Sequence, residues 1–136
     1  MICRSPWAAF MKSSNLALTA ETGGPAPGRR TWVFPDAELP PPGESLLKGH
    51  ESLIVLNMNP TPAEVRLTLY FADREAVELE PRRVEGRRVR CFRLDRKEDI
   101  GFAVPVETQY AVRVDANQPV VAQYGRLDAR QANLAY

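Results

Sequence analysis

The sequence predicts an all-β fold: an antiparallel β-sandwich of about eight short strands in a single domain. Three observations carry this. Glu64–Phe71 alternates strictly, with Val65, Leu67, Leu69 and Phe71 on one side and Glu64, Arg66, Thr68 and Tyr70 on the other; this is the period of a half-buried strand. Short apolar runs recur at close spacing, each ended by Pro, Asn or Gly. No stretch repeats apolar residues at i, i+3, i+4 and i+7, so the helical period is missing.

Taken in order, residues 1–27 read as a flexible N-terminal extension, because "SSNLALTAETGGPAPG" is small, polar and rich in Gly and Pro. The domain is expected over 28–136. "TWVF" at Thr31–Phe34 is the first strand, stopped by Pro35. "ELPPPGES" is a loop, extended in part by its three prolines. Glu51–Asn57 is a short apolar run that suits a strand buried on both faces. "NPTP" then turns the chain into the alternating strand. Val77–Leu79 is a short strand before Pro81, and Arg87–Leu94 another. "RKEDIG" is a loop or a single helical turn. Tyr110–Val114 and Val120–Tyr124 are the last two strands, joined by a turn at "DANQP".

Composition narrows the function. The chain has 136 residues, 44% of them hydrophobic, enough for one core. A net charge of +1 gives no global attraction to nucleic acid or anionic membrane. Two cysteines, Cys3 and Cys91, do not make a disulfide framework, so a reducing cytoplasm is the expected setting. No apolar run reaches the roughly 18 residues that span a bilayer. Metal ligands are sparse, with one histidine and no cysteine pair at ligand spacing. No phosphate-binding or nucleophile-elbow motif is present. The chain is therefore expected to be non-enzymatic and to need no cofactor. A sugar-modifying or hydrolytic enzyme would require a carboxylate pair, for which Glu51 and Asp128 are the candidates.

Several residues invite a sharper reading. His50 beside Glu51 is either a histidine tied to backbone or a pH-sensitive ligand donor. Trp32 is either a core or subunit-contact aromatic, or the floor of a pocket. Residues 82–97, "RRVEGRRVRCFRLDRK", hold eight basic residues against two acidic ones. They read as a hairpin whose arginines face solvent, or as a phosphate-binding patch built from Arg82, Arg83, Arg87, Arg88 and Arg90. At the C-terminus Arg126, Asp128 and Arg130 stand at i, i+2, i+4. In extended chain they share one face as a self-paired row, with Leu127 toward the core. An ion-pair network, a polar-ligand site and a subunit contact all remain open.

"RLDARQ" after "QPVVAQYG" resembles the signature of the sensory rhodopsin transducer family. "GRRTWVF", "GHESLIVLNMN", "VRLTLYFADRE" and "TQYAVRVDANQPVVAQYGRLD" extend the likeness in order over residues 28–136. The resemblance implies a β-sandwich assembled as a homotetramer, with no established catalysis. It also implies two functional readings. One is signal transfer at the cytoplasmic side of a membrane rhodopsin, with DNA association. The other is a module that binds a small polar ligand such as a sugar. The residues assigned to that ligand site are Trp32, His50, Glu51, Asn57, Arg126, Asp128 and Gln131. Nucleic-acid binding through the Arg82–Lys97 hairpin is the alternative.

Overall fold

Seven strands and one helical turn follow one another in the computed structural model, which describes Gly24 and residues 26–130. They are β1 (Arg29–Glu38), β2 (His50–Asn57), β3 (Ala63–Phe71), β4 (Val77–Glu78), β5 (Arg82–Val84), β6 (Arg88–Arg93), α1 (Lys97–Ile100) and β7 (Gln109–Leu127). Every strand pairing is antiparallel. The all-β, single-domain expectation is met. Among the described residues no helix is long and apolar enough to cross a membrane.

Strand β7 organises the rest, because its 19 residues serve two sheets. Its first half, Tyr110–Ala116, lies between Val65–Phe71 of β3 and the Thr31–Glu38 stretch of β1. Its second half, Val121–Leu127, pairs with His50–Leu56 of β2, which carries β6 on its far side. The expected turn at "DANQP" is therefore not a turn. The chain runs straight through and changes sheets there, a device that forms the corners of sandwiches. Proline is compatible with this, because Pro119 falls between the ladder ending at Ala116 and the one starting at Val121. The polar residues of the segment are used locally. Gln118 donates to the carbonyls of Thr61 (2.9 Å) and Pro62 (2.8 Å), and Asn117 accepts the Glu64 N–H at 3.0 Å.

Pro35 does not stop the first strand. The register of β1 against β7 slips between Phe34 and Ala37, and this bulge absorbs Pro35 and Asp36 without a ladder bond. The bulge also turns Asp36 outward, its side chain 79% exposed. At the start of β1, Gly28 has φ +119°, and a Cβ there would stand 2.2 Å from the Val120 carbonyl oxygen. Only glycine lets β1 join β7 at that point.

The expected hairpin over Arg82–Lys97 is also corrected. β5 pairs with β3 while β6 pairs with β2, so the segment crosses between sheets. "RKEDIG" forms the single helical turn α1, closed by Gly101 at φ 82°. The core gathers Leu53 and Val55 of β2, Val65, Leu67 and Leu69 of β3, Phe92, Leu94, Ile100, and Val112, Val114 and Val120 of β7. Each such side chain contributes about 1.5–3 kcal/mol on burial. β2 is less enclosed than expected: Ile54 is half-buried and Leu56 is 36% exposed. Its outer face is bounded by β6 residues Val89 and Cys91, directly opposite Leu56 and Ile54. Cys91 is a free, exposed thiol, and Cys3 lies outside the described residues.

Candidate functional site

Glu51 is the one carboxylate in an otherwise apolar stretch of β2, and it is 0% exposed. A buried charge needs partners on every side. Three donors supply them. The Tyr110 and Tyr124 hydroxyls donate to its two carboxylate oxygens, Tyr110 to Oε2 and Tyr124 to Oε1. The backbone N–H of Glu38 donates to Oε1 at 2.9 Å. Burial, followed by the charge of Glu51 and the bond to it, pushes the Tyr110 phenol well above its usual range. Burial and the bond to Glu51 do the same to Tyr124. Both tyrosines thus hold their protons and act as donors, and the Glu51 oxygens accept from all three partners.

The strand pattern explains this convergence. Tyr110 and Tyr124 occupy inward positions of β7, with the same parity as Val112, Val114, Val120 and Ala122. Each ring fills core volume, and each polar tip needs a partner. Because β7 switches sheets between them, one tyrosine approaches Glu51 from each sheet. The rings continue outward: Tyr124 lies 6.0 Å from Phe34, and Tyr110 lies 5.8 Å from Phe71.

Tyr124 is half-buried and opens onto the surface. There, Phe34, Pro35, Asp36, Tyr124, Gly125 and Arg126 line a hollow of about 530 Å³. Arg126 sits directly across the ladder from Glu51. Its guanidinium is 3.9 Å from the Asp36 carboxylate, too long for a hydrogen bond. The site thus offers an aromatic wall, a cation and an exposed carboxylate side by side, with a buried carboxylate behind them.

The structure brings some of the sequence-derived residues together and separates others. Glu51 and Arg126 are cross-strand neighbours. His50 is next to them on β2, and its Nδ1 donates to the Lys48 carbonyl at 2.8 Å. Asp128 lies just past the end of β7 and bonds Arg130 through its side chain and through the Arg130 N–H at 3.1 Å. The side-chain bond from Arg130 holds Asp128 below the usual carboxylate range. The expected row of Arg126, Asp128 and Arg130 does not form, because the strand ends at Leu127 and Arg126 turns toward Asp36 instead. Leu127 is half-buried rather than in the core. Gln131 lies outside the described residues.

Asn57 is at the opposite end of β2. Its amide donates to the carbonyls of Thr61 (2.9 Å), Val84 (3.0 Å) and Glu85 (3.3 Å), and its oxygen accepts from the backbone and side chain of Asn59. Asn59 in turn donates to the Pro119 carbonyl at 2.7 Å. This knot secures the sheet switch and leaves Asn57 no free polar atom for a ligand. Trp32 packs against the core and donates Nε1 to the Val120 carbonyl at 2.9 Å. It too lies by the switch rather than by the hollow.

Of the arginines in the basic segment, Arg82 donates Nε to the Asp99 carbonyl at 3.1 Å. Arg83 pairs with Glu85 at 2.6 Å. Arg90 lies 4.7 Å over the Phe92 ring and donates to the Arg83 carbonyl at 2.8 Å. Arg88 donates to the Arg87 carbonyl at 3.0 Å. Among the described residues no three His, Cys, Asp or Glu side chains are grouped to hold a metal.

Sequence reasoning missed Phe34, Asp36, Tyr110 and Tyr124. A signal existed for the tyrosines, since each takes an inward place in an apolar alternation where an aliphatic residue would otherwise stand. Asp36 carried none, because the bulge that exposes it follows a proline read as a stop.

Comparison with known proteins places this arrangement. No curated protein sequence matches the chain. Among solved structures, the crystal structure of Thermotoga maritima 1070 is 30% identical, covers 79% of this chain and 88% of its own, and superposes with a TM-score of 0.71. The Anabaena sensory rhodopsin transducer is 27% identical over 75% of this chain and 100% of its own, with a TM-score of 0.66. The model of the Anabaena sensory rhodopsin transducer family matches residues 27–136, and the chain belongs to that family.

Proposed function

We propose that this protein is a non-enzymatic binding and signalling module whose ligand site is the hollow between the β1 bulge and the end of β7. The observation that carries this reading is the fully buried Glu51 carboxylate behind the hollow. A protein gains little stability from burying a charge compared with an apolar residue, so its place behind a surface hollow, bonded to a residue of that hollow, favours a functional role. Phe34 and Tyr124 offer a stacking face, while Arg126 and Asp36 offer a donor and an acceptor. A small polar ring of the sugar type meets that chemistry. Glu51 acts through Tyr124 and does not touch the ligand. Fully buried and saturated by donors, it lacks the open face a catalytic carboxylate needs.

In this reading the protein works as a cytoplasmic homotetramer, as the family resemblance implies. A membrane rhodopsin is the protein partner that the family's name suggests. Amide spectra recorded while a panel of neutral monosaccharides is added test the site. Shifts confined to Phe34, Asp36, Tyr124 and Arg126, and lost in Arg126→Ala, support it. An unchanged spectrum across the panel overturns it.

A further inference from the structure

The charges around the hollow do not balance, and the imbalance specifies the ligand. Arg126 is the one cation of its lining. Asp36 stands 3.9 Å away on one side, and the Glu51 carboxylate lies behind, bonded to Tyr124. Both tyrosines feel the Arg126 charge and Tyr124 also feels Asp36, so these groups act over one small volume. Arg130 does not tip the balance back, because it is already bonded to Asp128. Glu38, whose N–H holds Glu51, adds another acidic side chain at the edge; the field it shares there is with Arg130. His50, the first residue of β2, is tied to the carbonyl of Lys48 in the loop just before it. Two carboxylates therefore oppose one guanidinium. One of the two is withdrawn from solvent, where its field is screened least.

From this imbalance, and resting on the hollow being the ligand site, we infer that it selects uncharged or amine-bearing polyhydroxylated rings and rejects their acidic counterparts. An arginine in a pocket ordinarily suggests a carboxylate or phosphate ligand. Here that attraction is offset, and an incoming anion meets net repulsion. A neutral ring has a different fit. Its apolar face covers Phe34 and Tyr124, and its hydroxyls bridge the gap between Arg126 and Asp36, donating to the carboxylate and accepting from the guanidinium. An ammonium substituent gains further from Asp36.

The test compares one ring in four charge states: D-glucose, D-glucosamine, D-glucuronate and D-glucose 6-phosphate, titrated by calorimetry and followed by amide spectra at low and high salt. The expected order places glucose and glucosamine at least about tenfold tighter than glucuronate and the phosphate at low salt, with the gap narrowing as salt rises. Asp36→Asn, on the exposed bulge, is expected to bring glucuronate up toward glucose without loss of fold. Glucuronate or the phosphate binding more tightly than glucose at the hollow overturns the inference while leaving the site in place. If none of the four perturbs the hollow, the site reading itself falls, and the inference with it.

Discussion

Tyr110 and Tyr124 stand in opposite halves of one strand and donate to different oxygens of the same carboxylate. Their strand belongs to one sheet at Tyr110 and to the other at Tyr124. Glu51 therefore joins the two sheets across the core, and through Glu38 it also holds the bulged strand β1. The same three bonds fix the hydroxyl of Tyr124 and the chain that carries Asp36. Stability and the shape of the hollow are consequently set by one group.

Glu51→Gln keeps the volume and removes the charge. A hydrogen bond to a charged group contributes roughly 1.5–3 kcal/mol, and the Gln amide turns a donor toward one of the donors that Glu51 accepts from. A loss of roughly 2–4 kcal/mol is expected in urea unfolding, with an unchanged m-value. Tyr110→Phe alone is expected to be milder. In the double variant the two effects should fall short of their sum by about 0.5–3 kcal/mol. Strict additivity would show that the bond between them carries no energy.

The phenols also predict an alkaline weakness. Both are pushed above their usual value, first by burial. In the unfolded chain they lose protons near pH 10, as ordinary tyrosines do, at about 10. The native state then binds more protons than the unfolded one. Stability falls with rising pH in that region, and the contribution is intact below it. Tyr110→Phe should flatten the slope of unfolding free energy above about pH 10 relative to the parent. An unaltered slope would mean that Tyr110 ionises equally in both states.

Much of the fold was legible because alternation and turn residues are local. The β3 pattern from Glu64 to Phe71 and the single turn at "RKEDIG" are written in neighbouring residues. Two of the strand errors share a cause, which is that a proline in the sequence need not end a strand. Pro35 sits in a bulge and Pro119 in the gap between two ladders, and in both places the missing N–H is not needed. Whether a ladder needs that N–H depends on strands far away in sequence. The same limit applied to the site. The kinship of Glu51 with Arg126 follows from register across 75 residues of chain, and the convergence of the tyrosines follows from the sheet switch. Asn57 and Trp32 share residue types with ligand sites, but their partners are backbone carbonyls at the switch.

Asn57 should behave as a structural residue. Asn57→Ala strips hydrogen bonds from the buried Val84 carbonyl and from Thr61, and leaves the Asn59 donors without their acceptor. Each buried polar group so orphaned costs about 1–3 kcal/mol. A destabilisation of roughly 2–4 kcal/mol is expected in denaturant titrations. At temperatures where the variant stays folded, amide shifts on ligand addition should match the parent. Lost binding by a fully folded variant would return Asn57 to the ligand site.

The basic segment sets a bound on nucleic-acid association. Arg82, Arg83 and Arg90 are already engaged with the protein, and stacking over Phe92 holds Arg90 further. Arg87 in the turn and Arg88 at the start of β6 are exposed, with the Arg88 side chain bonded to the Arg87 carbonyl, and Arg96 and Lys97 are exposed as well. Counterion release gives a log–log salt slope of about −0.9 for each phosphate neutralised. Arg87 and Arg88 together contribute about −2 to that slope per chain, and a multimer adds its copies. Duplex DNA binding followed by fluorescence anisotropy should weaken with salt, and Arg87→Ala with Arg88→Ala should make the slope shallower by about 2 per chain. If the double variant keeps the parent's slope, the phosphate contact lies away from that turn; Arg96 and Lys97 are also exposed.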